Sequence, residues 1–288
     1  MSAVQAGPPP RTRDGTADVK RQTAESFAWE WDRFSADPRE WEENFRGYFR
    51  FYPDEFFAGK RVLEAGSGMG RHTWWLSKLA DRVVSIDLGD AIRVTRRNTQ
   101  GVPNLGLAQA DIDHPPFAPE SFDFVCSIGV LHHLPDPEAG FRRLVELVKP
   151  GGTMHVYLYW ALEDAPAWKR GLLNAVRAFR KVTVKLPYPL LDKVSWVTAV
   201  GAYGTFVLPY KYLSRYRATR GLVKNFPLQA YAAYPFRVCY NDQFDRLSAP
   251  LEFRYTRAEV EAWFRRAGFQ DIRVEPHFGW IACGRKPA

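Results

Sequence analysis

Val62-Leu63-Glu64-Ala65-Gly66-Ser67-Gly68-Met69-Gly70-Arg71 reads as a strand, a tight turn and a helix start. An apolar run ends in an acid, three glycines follow at alternate positions, and a helix-like segment comes next. Glycine has no Cβ and accepts positive φ, so such a turn lets a ligand lie against bare backbone. The helix that follows aims its unpaired N–H groups at the same spot. A nucleotide-like ligand is therefore expected at the end of this strand. A dinucleotide fingerprint reads G-x-G-x-x-G, whereas the spacing here is G-x-G-x-G. Glu64 at the strand end repels a pyrophosphate and suits an ammonium group.

Further along, Val83-Val84-Ser85-Ile86-Asp87 reads as a second buried strand ending in a carboxylate, 17 residues beyond Gly70. That is about where a ribose-binding acid belongs. Ala110-Asp111-Ile112, Phe122-Asp123-Phe124-Val125-Cys126-Ser127, Leu131-His132-His133-Leu134-Pro135 and Leu147-Val148-Lys149-Pro150-Gly151-Gly152 follow in order. With these motifs, residues 60–159 resemble the core of the class I S-adenosylmethionine (SAM) dependent methyltransferases, in their small-molecule, type 11 branch. The resemblance implies a Rossmann-like α/β fold. Its seven-stranded sheet is mostly parallel with the last strand antiparallel, and helices cover both faces.

The resemblance also assigns roles. Glu64 stands where the family binds the cofactor ammonium, directly or through water. The turn Gly66, Ser67, Gly68 and Gly70 admits the methionine portion and ribose. Asp87 can accept from both ribose hydroxyls, a pairing that suits a carboxylate. Leu88 is suited to packing on adenine. Asp111 can accept the adenine amino group, while the Ile112 N–H can donate to a ring nitrogen. Ser127 and Ile128 should offer backbone groups to the amino-acid end. Single acids are usually turn or cap residues, but these acids fall at the C-terminal ends of adjacent strands, where ligands of such sheets bind.

Methyl transfer is an in-line displacement in which the enzyme mainly aligns the nucleophile and excludes water. A base is needed only where the acceptor must lose a proton. His132 and His133 follow the fourth strand and face the methyl-bearing end of the cleft, so either is a candidate base. The competing reading is that at least one packs or caps the loop before Pro135. Tyr157 and Tyr159 at the end of the fifth strand, and Trp29 from the N-terminal region, are candidate acceptor contacts; the tyrosine rings could equally be core.

The rest of the chain supports one large α/β protein with an insertion. Its 288 residues are 46% hydrophobic, enough for a sizeable core. Residues 1–24, with Pro8-Pro9-Pro10, read as a disordered tail. Residues 25–58 read as two short amphipathic helices capping the sheet domain. The SAM-binding core spans 59–160 with alternating strands and helices. Its fifth strand starts at Thr153 after a Pro-Gly-Gly helix stop. Residues 251–288 complete the sheet: Thr256-Arg257-Ala258-Glu259 is a capping box, and two closing strands follow.

Between these lies 161–250, which the minimal fold does not need. It holds 14 Lys and Arg against 5 Asp and Glu, and 8 of the 13 tyrosines. A structureless loop of that length is unfavourable in a compact domain, so a mostly helical lid inserted after strand five is expected. The net charge of +8 resides in this segment. Its basic residues fit solvated helix faces, attraction to an anionic small-molecule or glycan-type acceptor, or contact with an anionic membrane surface. No recognised nucleic-acid-binding module accompanies them, so nucleic acid is not expected.

Three cysteines, far apart and without a C-x-x-C pair, argue against a disulfide framework and against a metal site. No apolar secretory segment opens the chain, and no run reaches the roughly eighteen apolar residues of a membrane span. A cytoplasmic methyltransferase acting on oxygen or nitrogen of a natural product or sugar-containing acceptor is the expected function. The rivals are an NAD-dependent Rossmann oxidoreductase and a non-catalytic SAM-fold protein associated with a membrane surface. The sequence leaves the oligomeric state open.

Overall fold

A computed structural model describes residues 13–34, 36–224 and 226–288, with side chains from Ala17 onward. The chain divides into two compact units, Met1–Glu163 with Leu251–Ala288, and Asp164–Pro250.

The first unit is built on a seven-stranded sheet. Its strands are β1 (Arg61–Ala65), β2 (Arg82–Asp87), β3 (Leu105–Gln109), β4 (Phe122–Ile128), β5 (Val148–Leu158), β6 (Gln270–Pro276) and β7 (Trp280–Arg285). They lie in the order β3-β2-β1-β4-β5-β7-β6. β1 through β5 pair in parallel, and β7 runs antiparallel to both β5 and β6. The strand order reverses at β1, between β2 and β4, which opens a crevice at the carboxyl ends of these strands.

Strand alternation sends neighbouring side chains to opposite faces. Leu63 and Val125 join Phe141, Leu144, Val260 and Phe264 in one core. Val62 and Phe124 join Phe45, Phe49, Phe57 and Leu76 in the other. The first core is covered by α5 (Pro137–Glu146) and α11 (Arg257–Arg266), the second by α2 (Glu42–Tyr48) and α3 (Arg71–Leu79). α4 (Ala91–Asn98) follows β2. The Asp136 side chain caps α5 by accepting from the Ala139 N–H at 3.0 Å, with Pro137 at the first helical turn. The expected capping box closes α11: Thr256 accepts from the Glu259 N–H, and Glu259 from the Thr256 N–H at 2.8 Å.

Two regions depart from the sequence reading. Helix α1 runs from Arg13 to Arg33, 21 residues, so 13–24 is helix where a disordered tail was expected; residues 1–12 lie outside the described residues. The helix-breaking prolines end at Pro10, and the following stretch places Lys20, Thr23, Ala24, Phe27 and Trp31 on one helical face. The N-terminal cap is thus one long helix, a 3-10 turn at Pro38–Trp41 and the short α2. β5 begins at Val148, ahead of the expected Thr153. Pro150-Gly151-Gly152 form a register shift inside the strand, with Gly151 at φ 72, and the helix before it has already ended at Glu146.

The second unit is helical: α6 (Ala167–Thr183), α7 (Tyr188–Ala202), a π-helical segment (Tyr203–Val207), α8 (Leu208–Leu213), α9 (Arg217–Val223) and α10 (Phe236–Ser248). α10 packs against both α6 and α7 and buries Cys239, Phe244 and Leu247.

Candidate functional site

The glycine turn after β1 is pinned to β2. The N–H groups of Gly66 and Ser67 both donate to the Ile86 carbonyl, at 2.8 and 3.0 Å. Gly66, Gly68 and Gly70 have φ of 95, 53 and 86, a region that side chains other than glycine rarely adopt. Thr95 Oγ1 donates to the Gly68 carbonyl at 2.9 Å and holds the turn from α4. A Cβ on Gly66 would stand 2.1 Å from Val130 Cγ2, and one on Gly68 would meet Trp31 of α1 at 3.0 Å. The turn is therefore closely approached by protein on two sides.

Over it lies a cavity of about 900 Å³, the space open to solvent at its mouth included. Of the expected cofactor residues, Glu64, Gly66, Ser67, Gly68, Asp87, Leu88, Asp111, Ile112 and Ile128 line it. Gly70 and Ser127 do not. Gly70 backs onto Thr95, and the Ser127 hydroxyl turns away to donate to the Ala65 carbonyl at 2.9 Å.

Glu64 is buried, and Thr73 and Ser85 both donate to its Oε2, Ser85 at 2.9 Å. Burial pushes its carboxyl up to about 7, against the downward pull of the two hydroxyls and of Arg71. The neighbouring His72 does not neutralise it. Burial holds His72 well below the usual histidine range, and its Nδ1 stands 3.9 Å from Glu64 Oε1. A buried carboxylate whose ion-pair neighbour His72 is held neutral suits a ligand that brings its own cation. Asp87 accepts from the Gly68 N–H at 3.0 Å and the Gly89 N–H at 3.1 Å. Burial raises its carboxyl, and those N–H groups oppose the shift.

Asp111 is approached from α1. Lys20 Nζ contacts both Asp111 Oδ1 and Asp113 Oδ2, and the Asp113 N–H donates to the same Asp111 oxygen at 2.8 Å. Lys20, Thr23, Ala24, Phe27 and Trp31 of α1 all line the cavity. Trp29 does not, because it is turned about 200° from Phe27 on the helix. Arg71 lines the cavity too, its guanidinium 5.6 Å from the Trp31 ring and 5.2 Å from the Trp41 ring. Sequence reasoning missed Lys20 and Arg71. The signal for Arg71 was a cation directly after the last glycine; Lys20 lay in the supposed tail.

The two candidate histidines separate. His133 lines the cavity, and its Nδ1 stands 2.6 Å from the Leu251 carbonyl. A carbonyl only accepts, so Nδ1 carries a proton, and in the neutral ring the lone pair falls on Nε2. That Nε2 is buried without a protein partner. His132 does not line the cavity. It is fully buried with its ring 3.9 Å from that of Tyr159, and burial holds it well below the usual histidine range. Tyr157 and Tyr159 do not line the cavity either. Tyr157 is buried against Tyr48, and Tyr159 lies between His132 and the Arg254 guanidinium.

The strand order, the crevice at the strand ends and the glycine turn between acids define a class I methyltransferase fold. Residues 63–156 match the family model described as a methyltransferase domain. SAM is the cofactor of that family. The ubiquinone biosynthesis O-methyltransferase of Photorhabdus laumondii is 28% identical over 120 residues, 41% of this chain and 49% of that protein. The demethylmenaquinone methyltransferase of Clavibacter sepedonicus is 29% identical over 130 residues, 45% of this chain and 53% of that protein. The chain thus spans about half the length of these relatives. Among solved structures, the 1,6-didemethyltoxoflavin-N1-methyltransferase of Burkholderia thailandensis shares the fold. Its TM-score is 0.54 at 14% identity, covering 100% of this chain and 95% of that one. Among the described residues, no helix is long and apolar enough to cross a membrane, and no group of three or more His, Cys, Asp or Glu could hold a metal ion.

Proposed function

We propose that the protein transfers a methyl group from SAM to an oxygen or nitrogen of a small organic acceptor, of the natural-product or sugar-containing kind. The observation that carries this reading is the single cavity lined by Glu64, the glycine turn, Asp87, Asp111 and His133. The relatives named for O-methyl transfer in ubiquinone biosynthesis and for demethylmenaquinone methylation support acceptors of that size. SAM supplies a methyl carbon already activated by its sulfonium.

The protein's own groups bind, align and deprotonate. Glu64 takes the ammonium, and Arg71, on the same wall, takes the carboxylate. Asp87 accepts from the ribose hydroxyls. Asp111 and the Ile112 N–H meet the adenine edge, and α1 covers the cavity through Phe27 and Trp31. His133 Nε2 removes the acceptor proton, and the Leu251 carbonyl holds the ring in the required tautomer. Such a base contributes about 10²–10⁴ in rate.

Mass spectrometry of the purified protein should find SAM or S-adenosylhomocysteine, and titration should show binding of SAM and none of NAD. Tight NAD binding without SAM binding refutes the reading. With an acceptor in hand, His133→Gln should lower kcat about 10²-fold or more while leaving SAM affinity intact; an unchanged kcat removes His133 from the mechanism.

Glu64 makes cofactor binding pH-dependent. Ammonium binding needs the carboxylate, and in the free protein Glu64 is half protonated at about pH 7. Affinity should therefore weaken below pH 7, approaching about tenfold per pH unit, and binding should release a proton. Calorimetry in buffers of different ionisation enthalpy reads the proton directly. Glu64→Gln should bind SAM weakly, with no such slope; the same slope in that variant would assign it to another group.

A further inference from the structure

We propose that the unit Asp164–Pro250 docks on an anionic lipid surface through the outward faces of α6 and α7. On α6 the outward residues Trp168, Leu172, Ala175, Phe179 and Val182 recur at spacings of 4, 3, 4 and 3. This is the stripe by which a helix is normally buried, yet Trp168 is 47%, Phe179 45% and Val182 60% exposed. The buried side of α6 lies elsewhere on the helix, at Arg180 and Thr183, and Thr183 donates to the Leu247 carbonyl of α10 at 2.8 Å. α7 repeats the arrangement. Leu191, Ser195 and Ala199 are buried. Leu190, Trp196, Val197 and Val200 face outward, Trp196 at 50% and Val197 at 62%, with Lys193 as the one charge among them. Twelve of the thirteen large apolar side chains exposed among the described residues belong to this unit. Monomeric proteins rarely leave such faces to water.

Charge decides what covers them. The unit holds 14 Lys and Arg against 4 acids, a net of +10 in a chain of net +8. Two of those acids are engaged within the unit: Asp192 takes the Tyr240 hydroxyl and Asp242 the Tyr231 hydroxyl. Lys181, Lys185, Lys193, Arg217 and Arg220 are exposed beside or between the apolar positions. A second copy would set like charges opposite each other across a symmetric contact. A lipid surface with anionic headgroups satisfies both features: cations reach the phosphates while Trp, Leu and Val enter the acyl boundary. Among the described residues no helix is long and apolar enough to cross, so the proposed contact is with the surface alone.

The test uses the full chain with vesicles of phosphatidylcholine alone and of equimolar phosphatidylcholine and phosphatidylglycerol. The protein should sediment with the anionic vesicles and not the neutral ones, less so as salt rises. Its tryptophan emission should shift to the blue. Lys181→Glu with Lys185→Glu and Lys193→Glu should weaken binding by about fivefold or more per site. Phe179→Ser with Trp196→Ser and Val197→Ser should abolish it. SAM binding by both variants, unchanged from wild type, shows that they are folded and separates this inference from the proposed reaction. Absence of sedimentation with either vesicle overturns the proposal, as does retention of binding by the serine variant. Concentration-dependent dimerisation that the serine variant loses, without vesicle binding, would assign the face to a second copy instead.

Discussion

Replacing Gly66 by alanine should cost the protein its cofactor, with SAM affinity falling at least about 100-fold, and should destabilise the fold by about 3 kcal/mol. Two costs combine. Gly66 sits at φ 95, where a Cβ crowds its own backbone. The same Cβ would stand 2.1 Å from Val130 Cγ2, and Val130 is β-branched and stiff at χ1. Relief can come only by moving Val130 or the turn. The turn is tied to Ile86 by two hydrogen bonds, so displacing it disturbs the Glu64 and Asp87 walls together. Adding Val130→Ala should recover part of the stability, because the contact is relieved while the backbone strain remains. Denaturant melts and SAM titration of the two single variants and the double variant read this as a coupling energy. Independent effects of the two substitutions would place the clash elsewhere.

The second large effect is acid lability. His72, His132 and His155 are buried and held neutral, His155 down to about 3. His155 is wedged between Tyr48 and Tyr52: its Nε2 donates to the Tyr48 carbonyl at 3.1 Å, and its Nδ1 accepts from the Tyr52 hydroxyl at 3.2 Å. A depressed folded pKa gives stability that is complete above the unfolded value of about 6.5 and is lost as pH falls below it. By about pH 5 each such histidine forfeits about 2 kcal/mol. Glu64 acts in the opposite sense. Its raised carboxyl makes the free protein more stable on protonation, returning about 2 kcal/mol over the same interval. The net loss from about pH 7 to about pH 5 is about 4 kcal/mol, or roughly 8–16 °C in Tm. Thermal melts across that range test it. Glu64→Gln should steepen the fall and His155→Phe should flatten it. A Tm constant over the interval would mean that these histidines become charged without unfolding.

The local pattern carried most of the first unit. Apolar runs ending in Glu64 and Asp87, the glycine spacing and the Thr256 capping box each depend on near neighbours, and each appears where the residues indicate. The failures share one cause, direction in space. Phe27, Trp29 and Trp31 alternate in sequence, yet helical rotation turns Phe27 and Trp31 to the cavity and Trp29 away. Pro8-Pro9-Pro10 is a genuine helix breaker, but its reach ends before Arg13, and Lys20 then arrives at Asp111 across 91 residues. Tyr157 and Tyr159 bear the residue type of a binding wall, while the packing of Tyr48, His132 and Arg254 absorbs their rings.

The sequence by itself determined the parallel sheet, the glycine turn and the acids at its strand ends, because these rest on glycine's backbone freedom and on apolar runs along single strands. Only the tertiary structure decided which histidine lines the cavity. His132 and His133 are adjacent and chemically identical; His133 lines the cavity with a proton held on Nδ1 by the Leu251 carbonyl, 118 residues away, while His132 is packed against Tyr159. It also decided that the stripes of α6 and α7 point outward, since an amphipathic pattern states that an apolar face exists and packing alone states whether protein covers it.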